Sequence, residues 1–175
     1  MSLNFNFFCS TRVSFDISAR EKIFDVLEKE KWGNLGVVVD HNLLGVEKVA
    51  ALISRLKEKA GNVIIAACKV PEPTYDALEE MRVVFNNQKL DVMIGIGGGS
   101  ALDMAKAMAV LVHNHKPAIE YRGFDKMTET VLPIIAIPTT AGTGSEVTPN
   151  ASFVDSKEKK KLGINGEAVR PKYAL

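Results

Sequence analysis

The stretch from residue 92 to residue 103 constrains the fold most, because an apolar, β-branched run breaks there at three consecutive glycines. Residues 92–96 predict a buried strand, and residues 97–99 predict a tight turn. Apolar residues then recur at helical spacing, which predicts a helix. Ser100 suits the N-cap of that helix, and Asp103 completes a Ser-x-x-Asp capping pattern.

A strand, a glycine turn and a helix N-terminus together form an anion-binding site. Free backbone N–H groups and the positive end of the helix dipole converge there, and glycines let a phosphate approach the backbone closely. One interpretation is that a dinucleotide pyrophosphate lies over Gly97, Gly98, Gly99 and Ser100. The alternative is a tight turn without a ligand, but three glycines in a row are more than such a turn needs.

The rest of the chain alternates short apolar runs with amphipathic segments. This alternation predicts an α/β fold, with a Rossmann-like parallel sheet covered by helices on both faces. The absence of a repeat or linker predicts a single domain over residues 1–175. Strands are expected at residues 12–15, 35–39, 63–67, 92–96 and 134–137, and helices after Ser18, over 46–59 and from the Thr74 cap to about Asn86.

Ligands of open parallel sheets bind beyond the carboxyl ends of the strands. This rule brings three distant segments into one cleft: Asp40, the glycines at 97–99, and the hydroxyl-rich loop at 139–145. The loop suits ribose and nicotinamide contacts, although it also fits a flexible polar loop, and Asp40 also fits a turn or N-cap residue. The acidic residue usual about 20 positions after the glycines would fall near Glu120, where no strand precedes it.

Composition and net charge limit the classes of partner that the chain is expected to bind. The chain has 175 residues, 46% of them hydrophobic, and a net charge of +1, which gives no indication of nucleic acid or of a membrane surface. No apolar run approaches the ~18 residues of a membrane helix. Cys9 and Cys68 fit neither a disulfide framework nor a zinc site, so we expect a reducing, cytoplasmic location.

Two longer motifs carry a family resemblance. Gly-Gly-Gly-Ser-x-x-Asp-x-Ala-Lys at 97–106 and Pro-Thr-Thr-Ala-Gly-Thr-Gly-Ser-Glu-Val-Thr at 138–148 resemble the iron-containing (group III) alcohol dehydrogenases. Asp40, Pro73-Thr74 and Lys161-x-Gly163-Ile164 support the match. The resemblance covers nearly the whole chain but only the family's N-terminal, nucleotide-binding half, whose fold is like that of the dehydroquinate synthase N-terminal domain.

The resemblance implies a set of NAD contacts. Residues 97–100 would hold the pyrophosphate, Asp40 would accept from the adenosine ribose and favour NAD over NADP, and Lys161 would reach the nicotinamide ribose. Asp103 is interpreted mainly as the capping partner of Ser100, since a carboxylate repels a pyrophosphate. The 139–145 loop would contribute the remaining contacts through Thr139, Thr140, Thr143 and Ser145, with the first two near the adenine.

The resemblance also implies a metal-dependent transfer of hydride between an alcohol or aldehyde and NAD, in a homo-oligomer. The family's helical C-terminal domain supplies an Asp and three His for a divalent metal, iron or else zinc. His41, His113 and His115 match none of these ligands. We therefore expect no metal-binding or catalytic residue in this chain, a fragment that lacks the helical domain and is inactive alone.

Other interpretations stay open at the level of the sequence. Glu72 stands where the family usually has Asn, so a cleft contact at this position is in question. A glycerol dehydrogenase-like relative is one alternative enzyme. A stand-alone nucleotide-binding or assembly module without catalysis is the alternative from another class.

Overall fold

A computed structural model describes residues 8–175. This range contains four α-helices and nine strands, with short 3₁₀ turns between some of them, and strands and helices alternate as far as the fourth helix. The helices are α1 (Ile23–Glu30), α2 (Glu47–Lys59), α3 (Tyr75–Phe85) and α4 (Gly99–Leu111). The strands are β1 (Arg12–Val13), β2 (Asn34–Asp40), β3 (Asn62–Cys68), β4 (Val92–Gly97), β5 (Gly123–Phe124), β6 (Ile134–Pro138), β7 (Asn150–Asp155), β8 (Lys160–Asn165) and β9 (Tyr173–Ala174).

Six strands form the main sheet in the order β1-β9-β6-β4-β2-β3, and all of its pairings are parallel. This confirms the predicted parallel sheet. Apart from the edge strand β1, the order is the flavodoxin-like 2-1-3-4-5 order, in which the chain changes direction across the sheet between β2 and β4. The crevice expected at such a switch point lies beyond Asp40 and Gly97, the last residues of these two strands.

Helices cover both faces of this sheet, as predicted. On one face, buried residues of α1 and α2 such as Ile23 and Leu56 pack against Val37 and Ile94. On the other face, α3 and α4 pack in a second cluster that includes Leu78, Phe85, Met104 and Met108. The central strands are buried on both sides, which explains why β2 and β4 read as continuous apolar runs.

Helix α4 is buried on all sides, because a second, smaller sheet covers the side that faces away from the main sheet. This sheet has the order β5-β8-β7, and its Phe153 and Ile164 belong to the same core cluster as α4. This sheet was not predicted from the sequence, since β7 and β8 mix Asn, Ser, Asp and Lys with their apolar residues. Every residue of α4 from Ala101 to Leu111 is buried, including Asp103 and Lys106.

The predicted cap of α4 is wrong. Helix α4 begins at Gly99 with Gly98 as its N-cap, so Ser100 lies in the first turn rather than at the cap. The Ser100 hydroxyl donates to the carbonyl oxygen of Pro71, and Asp103 accepts from the backbone N–H of Ser152 at 3.0 Å. The glycines allow the helix to start earlier, and both side chains are then used for tertiary contacts.

The local predictions differ in their outcomes. Thr74 caps α3, with its hydroxyl accepting from the N–H of Ala77. The helix expected directly after Ser18 begins only at Ile23, because a 3₁₀ turn over Ala19–Lys22 comes first, and Ser18 makes no side-chain capping bond. Cys9 and Cys68 are both free thiols. Among the helices of residues 8–175, none is long and apolar enough to cross a membrane.

Candidate functional site

The structure brings the three predicted segments together at the carboxyl edge of the main sheet. Asp40 and Gly97 end neighbouring strands, and a Cβ placed on Gly97 would lie 2.9 Å from that of Asp40. Residues 139–145 follow β6, the strand on the other side of β4. The N–H of Thr139 donates to the carbonyl oxygen of Gly97 at 3.0 Å, which fixes the start of this loop against the glycine turn.

Positions 97 and 98 favour glycine for different structural reasons. Gly97 has φ +148°, a conformation that L side chains rarely adopt, and its Cβ would also lie 2.8 Å from Ala101. Gly98 has φ −76°, so its backbone alone does not require glycine. A Cβ on Gly98 would lie 3.1 Å from the Thr140 hydroxyl. Gly98 therefore keeps open the space between the helix N-terminus and the hydroxyl-rich loop.

Gly99 opens the same space further along. A Cβ on Gly99 would lie 3.3 Å from both the Ser145 hydroxyl and the Thr143 Cβ. The first N–H groups of a helix have no partners within the helix, and the helix dipole makes this end positive. The first turn of α4 thus presents donors to a space bounded by hydroxyl groups. A pyrophosphate fits this arrangement, because it requires close backbone approach and N–H or O–H donors.

A polar cleft of about 540 Å³ opens beside this turn. It joins the first turn of α4 to the hydroxyl-rich loop, to the start of β7 and to Lys161 on β8. The residues that line it are Pro73, Gly99, Ser100, Asp103, Thr143, Ser145, Thr148, Asn150, Ser152 and Lys161. Eight of these ten carry polar or charged side chains, so the cleft suits a ligand rich in hydroxyl, amide or phosphate groups.

A more apolar cavity of about 730 Å³ lies beyond the start of the hydroxyl-rich loop. Thr139 and Thr140 line this cavity together with Leu43, Val46 and Ile137. The loop 139–145 therefore contributes to both spaces: its beginning lines the apolar cavity, and Thr143 and Ser145 line the polar cleft.

The sequence left two roles open for Asp40, a turn or N-cap residue and a ligand contact, and its position in the structure is compatible with both. Its carboxylate accepts from the N–H of Asn42 at 2.9 Å and so caps a 3₁₀ turn over His41–Leu43. The side chain remains partly exposed at the edge of the site. Lys161, on the far side of the cleft, pairs with Glu72 at 3.8 Å between Nζ and Oε1, and both side chains are exposed.

A buried pair of charged residues, Asp103 and Lys106, lies directly behind the cleft, and the sequence predicted only a capping role for Asp103. The Lys106 ammonium donates to the carbonyl oxygens of Thr148 and Asn150 and lies 3.6 Å from the Asp103 carboxylate. Burial lowers the pKa of Lys106 to about 8, and burial also raises the pKa of Asp103. The Asp-x-x-Lys spacing inside an apolar helix was the sequence signal for this pair.

The arrangement of possible ligand side chains shows whether this part of the chain could hold a metal ion. Within residues 8–175, no three His, Cys, Asp or Glu side chains group so that they could hold a metal ion. His113 instead has its Nδ1 3.2 Å from the carbonyl oxygen of Thr130. The described residues therefore do not fit a metal site of the family's kind.

The comparison with known families decides the relationship. The family model of iron-containing alcohol dehydrogenases matches residues 10–175. The chain belongs to this family. The resemblance in the two motifs is thereby confirmed, and the fold is that of the family's N-terminal part.

Individual relatives agree with this assignment. The chain is 32% identical over 139 residues to an NAD-dependent methanol dehydrogenase of Bacillus methanolicus, covering 79% of this chain and 36% of the relative. It is 40% identical over 115 residues to long-chain-alcohol dehydrogenase 1 of Geobacillus thermodenitrificans, covering 64% and 29%. A solved iron-containing alcohol dehydrogenase superposes with a TM-score of 0.84 at 30% identity, covering 99% of this chain and 47% of that structure. The chain thus spans less than half the length of these relatives.

Proposed function

We propose that this chain is the NAD-binding half of a metal-dependent oxidoreductase acting on an alcohol or aldehyde. The observation that carries the proposal is the convergence of Asp40, the glycine turn and the hydroxyl-rich loop at the switch point of the sheet. Family membership and a relative named as NAD-dependent support the same conclusion. The cofactor half is proposed as one domain over residues 1–175, of which the structure describes 8–175.

The proposed placement of NAD follows the chemistry of the two spaces. The pyrophosphate lies over residues 97–100, where the α4 N–H groups face the hydroxyl-rich loop. The adenosine end lies toward Thr139, Thr140 and the apolar cavity, with Asp40 accepting from its ribose hydroxyls. The nicotinamide end enters the polar cleft between Thr143, Ser145 and Lys161.

In this proposal the described residues bind and orient the cofactor. When bound, NAD supplies the hydride acceptor or donor for the substrate. Lys161 provides a positive charge and N–H donors to the sugar or phosphate of the nicotinamide end. An anionic carboxylate at Asp40 repels a 2′-phosphate, which favours NAD over NADP.

The alcohol or aldehyde substrate, a homo-oligomeric state and a cytoplasmic location are parts of the same proposal. The two free thiols suit a reducing compartment. The family name supports iron, with zinc as the alternative, as the metal of the intact enzyme. The residues described here are assigned to cofactor binding, without a catalytic or metal-ligating role.

Two measurements on the 175-residue chain test the proposal. A calorimetric titration with NAD should show binding at one site per chain. NADH production from short alcohols should stay at the blank rate, with and without added iron or zinc, because the described residues place no metal-binding cluster at the cleft. Absence of NAD binding would overturn the cofactor assignment, and metal-dependent turnover would overturn the assignment of this chain to cofactor binding alone.

A further inference from the structure

We propose that Lys106 is a positioning residue of the cofactor cleft, which holds Asp103 and the start of β7 in the geometry that NAD requires. The inference rests on the proposed function, because the cleft it shapes is the proposed nicotinamide end of the NAD site. Lys106 itself does not line that cleft, whereas Asp103, Thr148, Asn150 and Ser152 do. Its effect on a ligand is therefore exerted through these neighbours.

The contacts of Lys106 join two walls of the cleft. Its side chain is fully buried. Nζ donates to the carbonyl oxygens of Thr148 at 3.0 Å and Asn150 at 2.8 Å, and lies 3.4 Å from the Thr148 hydroxyl. An ammonium has three donors and no acceptor, so these three oxygens account for its hydrogen bonds, and Asp103 adds an ion pair at 3.6 Å.

Asp103 completes the connection from the same helix. One carboxylate oxygen accepts from the Ser152 N–H at 3.0 Å, and the other, Oδ1, lies 3.6 Å from the Lys106 ammonium. Within the described part of the chain, Oδ1 has no hydrogen-bond partner. The lysine is thus the charge that compensates this buried carboxylate and fixes the side of the helix to which it turns.

The pair is not explained by stability. Taking both charges out of water is costly, and replacing a buried ion pair by well-packed apolar groups is often neutral or stabilising. Every other residue between Ala101 and Leu111 is apolar, so an apolar residue at position 106 would suit the helix. Burial lowers the pKa of Lys106 to about 8, which reflects that cost. We infer that the pair instead fixes the position of residues 148–152 relative to α4.

The position of residues 148–152 relative to α4 sets the width of the cleft. The first turn of α4 carries the proposed phosphate site, and Asp103 and Lys106 lie about one and two turns further along the same helix. Through them, residues 148–152 are tied to α4 at a fixed distance. Because NAD must contact both sides of the cleft at once, this tie prepares the site before the cofactor arrives.

The other end of α4 offers a matched control. Asn114 is also buried and ties the helix end to the following loop, accepting from the N–H groups of Thr128 and Glu129. This tether makes no contact with the cleft residues. Loss of Asn114 should therefore lower thermal stability without changing the cleft.

The experiment compares the wild type with Lys106→Met and Asn114→Ala in calorimetric NAD titrations, at a temperature where circular dichroism shows each protein to be folded. We expect Lys106→Met to raise the Kd for NAD about tenfold or more, because the wall residues are no longer held in place. Asn114→Ala should lower the melting temperature but leave the Kd within about twofold, because its site is distant. A folded Lys106→Met protein that binds NAD like the wild type would overturn the inference, as would a rise in Kd that follows the melting temperature in both variants.

Hydrogen exchange on the wild type decides the case if Lys106→Met does not fold. The Ser152 amide, held by Asp103, should be protected in the free protein and change little when NAD is added. Protection of this amide only in the presence of NAD would show that the cofactor, rather than Lys106, orders the wall. A wild type that does not bind NAD at all would overturn the proposed function and this inference with it, whereas normal wild-type binding with an unaffected variant contradicts the inference alone.

Discussion

Asp40 shows how one side chain at a strand end serves both the fold and the proposed ligand. One oxygen of its carboxylate already accepts from the Asn42 N–H. A carboxylate has several further acceptor positions, so ribose hydroxyls can be bound without breaking this cap. The residue's charge and its capping bond can therefore be separated by substitution.

Asp40→Asn removes the charge and keeps an oxygen that can cap the turn, whereas Asp40→Gly removes both. We expect both changes to weaken NAD binding by about tenfold, the value of a hydrogen bond to a charged group, and to raise the relative affinity for NADP. Titrations of each variant with NAD and NADP measure this preference. A cofactor preference that is unchanged in Asp40→Asn would show that Asp40 acts only as a turn residue.

Glu72 is the second residue with a measurable effect, because its carboxylate lies near the Lys161 ammonium at the mouth of the cleft. Both side chains are exposed, so the pair contributes at most about 1 kcal/mol. Glu72→Gln releases Lys161 and removes a negative charge beside the proposed phosphate site. We expect tighter NAD binding, by up to about fivefold at low salt, and less of a difference at high salt.

A matched control for Glu72 lies on the β7–β8 hairpin. Glu158 pairs with Lys160 at the same distance of 3.8 Å, also between exposed side chains, but neither residue lines the cleft. Glu158→Gln should leave NAD affinity unchanged. Equal effects of the two substitutions would mean that only the overall charge of the surface matters.

At the scale of elements, the sequence predicted the main sheet and the segments that meet at its edge better than the small sheet that packs on α4. The main strands were predicted to within one residue at most ends, because buried parallel strands are continuous apolar runs. The cleft segments could be found because strand ends, glycines and hydroxyls follow simple rules. Strand β7 could not be predicted, since its Asn, Ser and Asp residues resemble a loop until the partner strand is known.

The predicted N-cap of α4 was wrong for a related reason. Local preference places Ser at an N-cap, but tertiary contacts of Ser100 with Pro71 and of Asp103 with Ser152 use these side chains elsewhere. Lys106 shows the same limit, because its partners are two carbonyl groups more than 40 positions away. A buried lysine in an apolar helix signals that a partner exists, without saying which.

At the scale of the whole molecule, the surface carries apolar side chains near β1. Phe15 and Ile17 are 99% and 100% exposed, and Val13 is 59% exposed. These residues also line the apolar cavity beside the hydroxyl-rich loop. Neighbouring exposed apolar residues of this kind promote association, whereas a single one is ordinary.

We therefore expect the 175-residue chain to self-associate, and the double substitution Phe15→Ser and Ile17→Ser to reduce that association. Light scattering over a concentration series measures the mass. Phe124→Ser is the control, since Phe124 is equally apolar and 75% exposed but lies on the small sheet. A wild type that stays monomeric throughout the series would contradict this expectation and favour an independent module.

The central claim, that the glycine turn of residues 97–99 binds the cofactor pyrophosphate, is tested most directly by calorimetric NAD titration of Gly98→Val. A valine there fills the space next to the Thr140 hydroxyl, while the φ of −76° remains accessible to it. Gly33→Val is the control, because a Cβ at Gly33 meets nothing within 4 Å. We expect Gly98→Val to lose NAD binding while its circular dichroism stays like that of the wild type, and Gly33→Val to bind NAD normally. NAD binding of wild-type strength in folded Gly98→Val would contradict it.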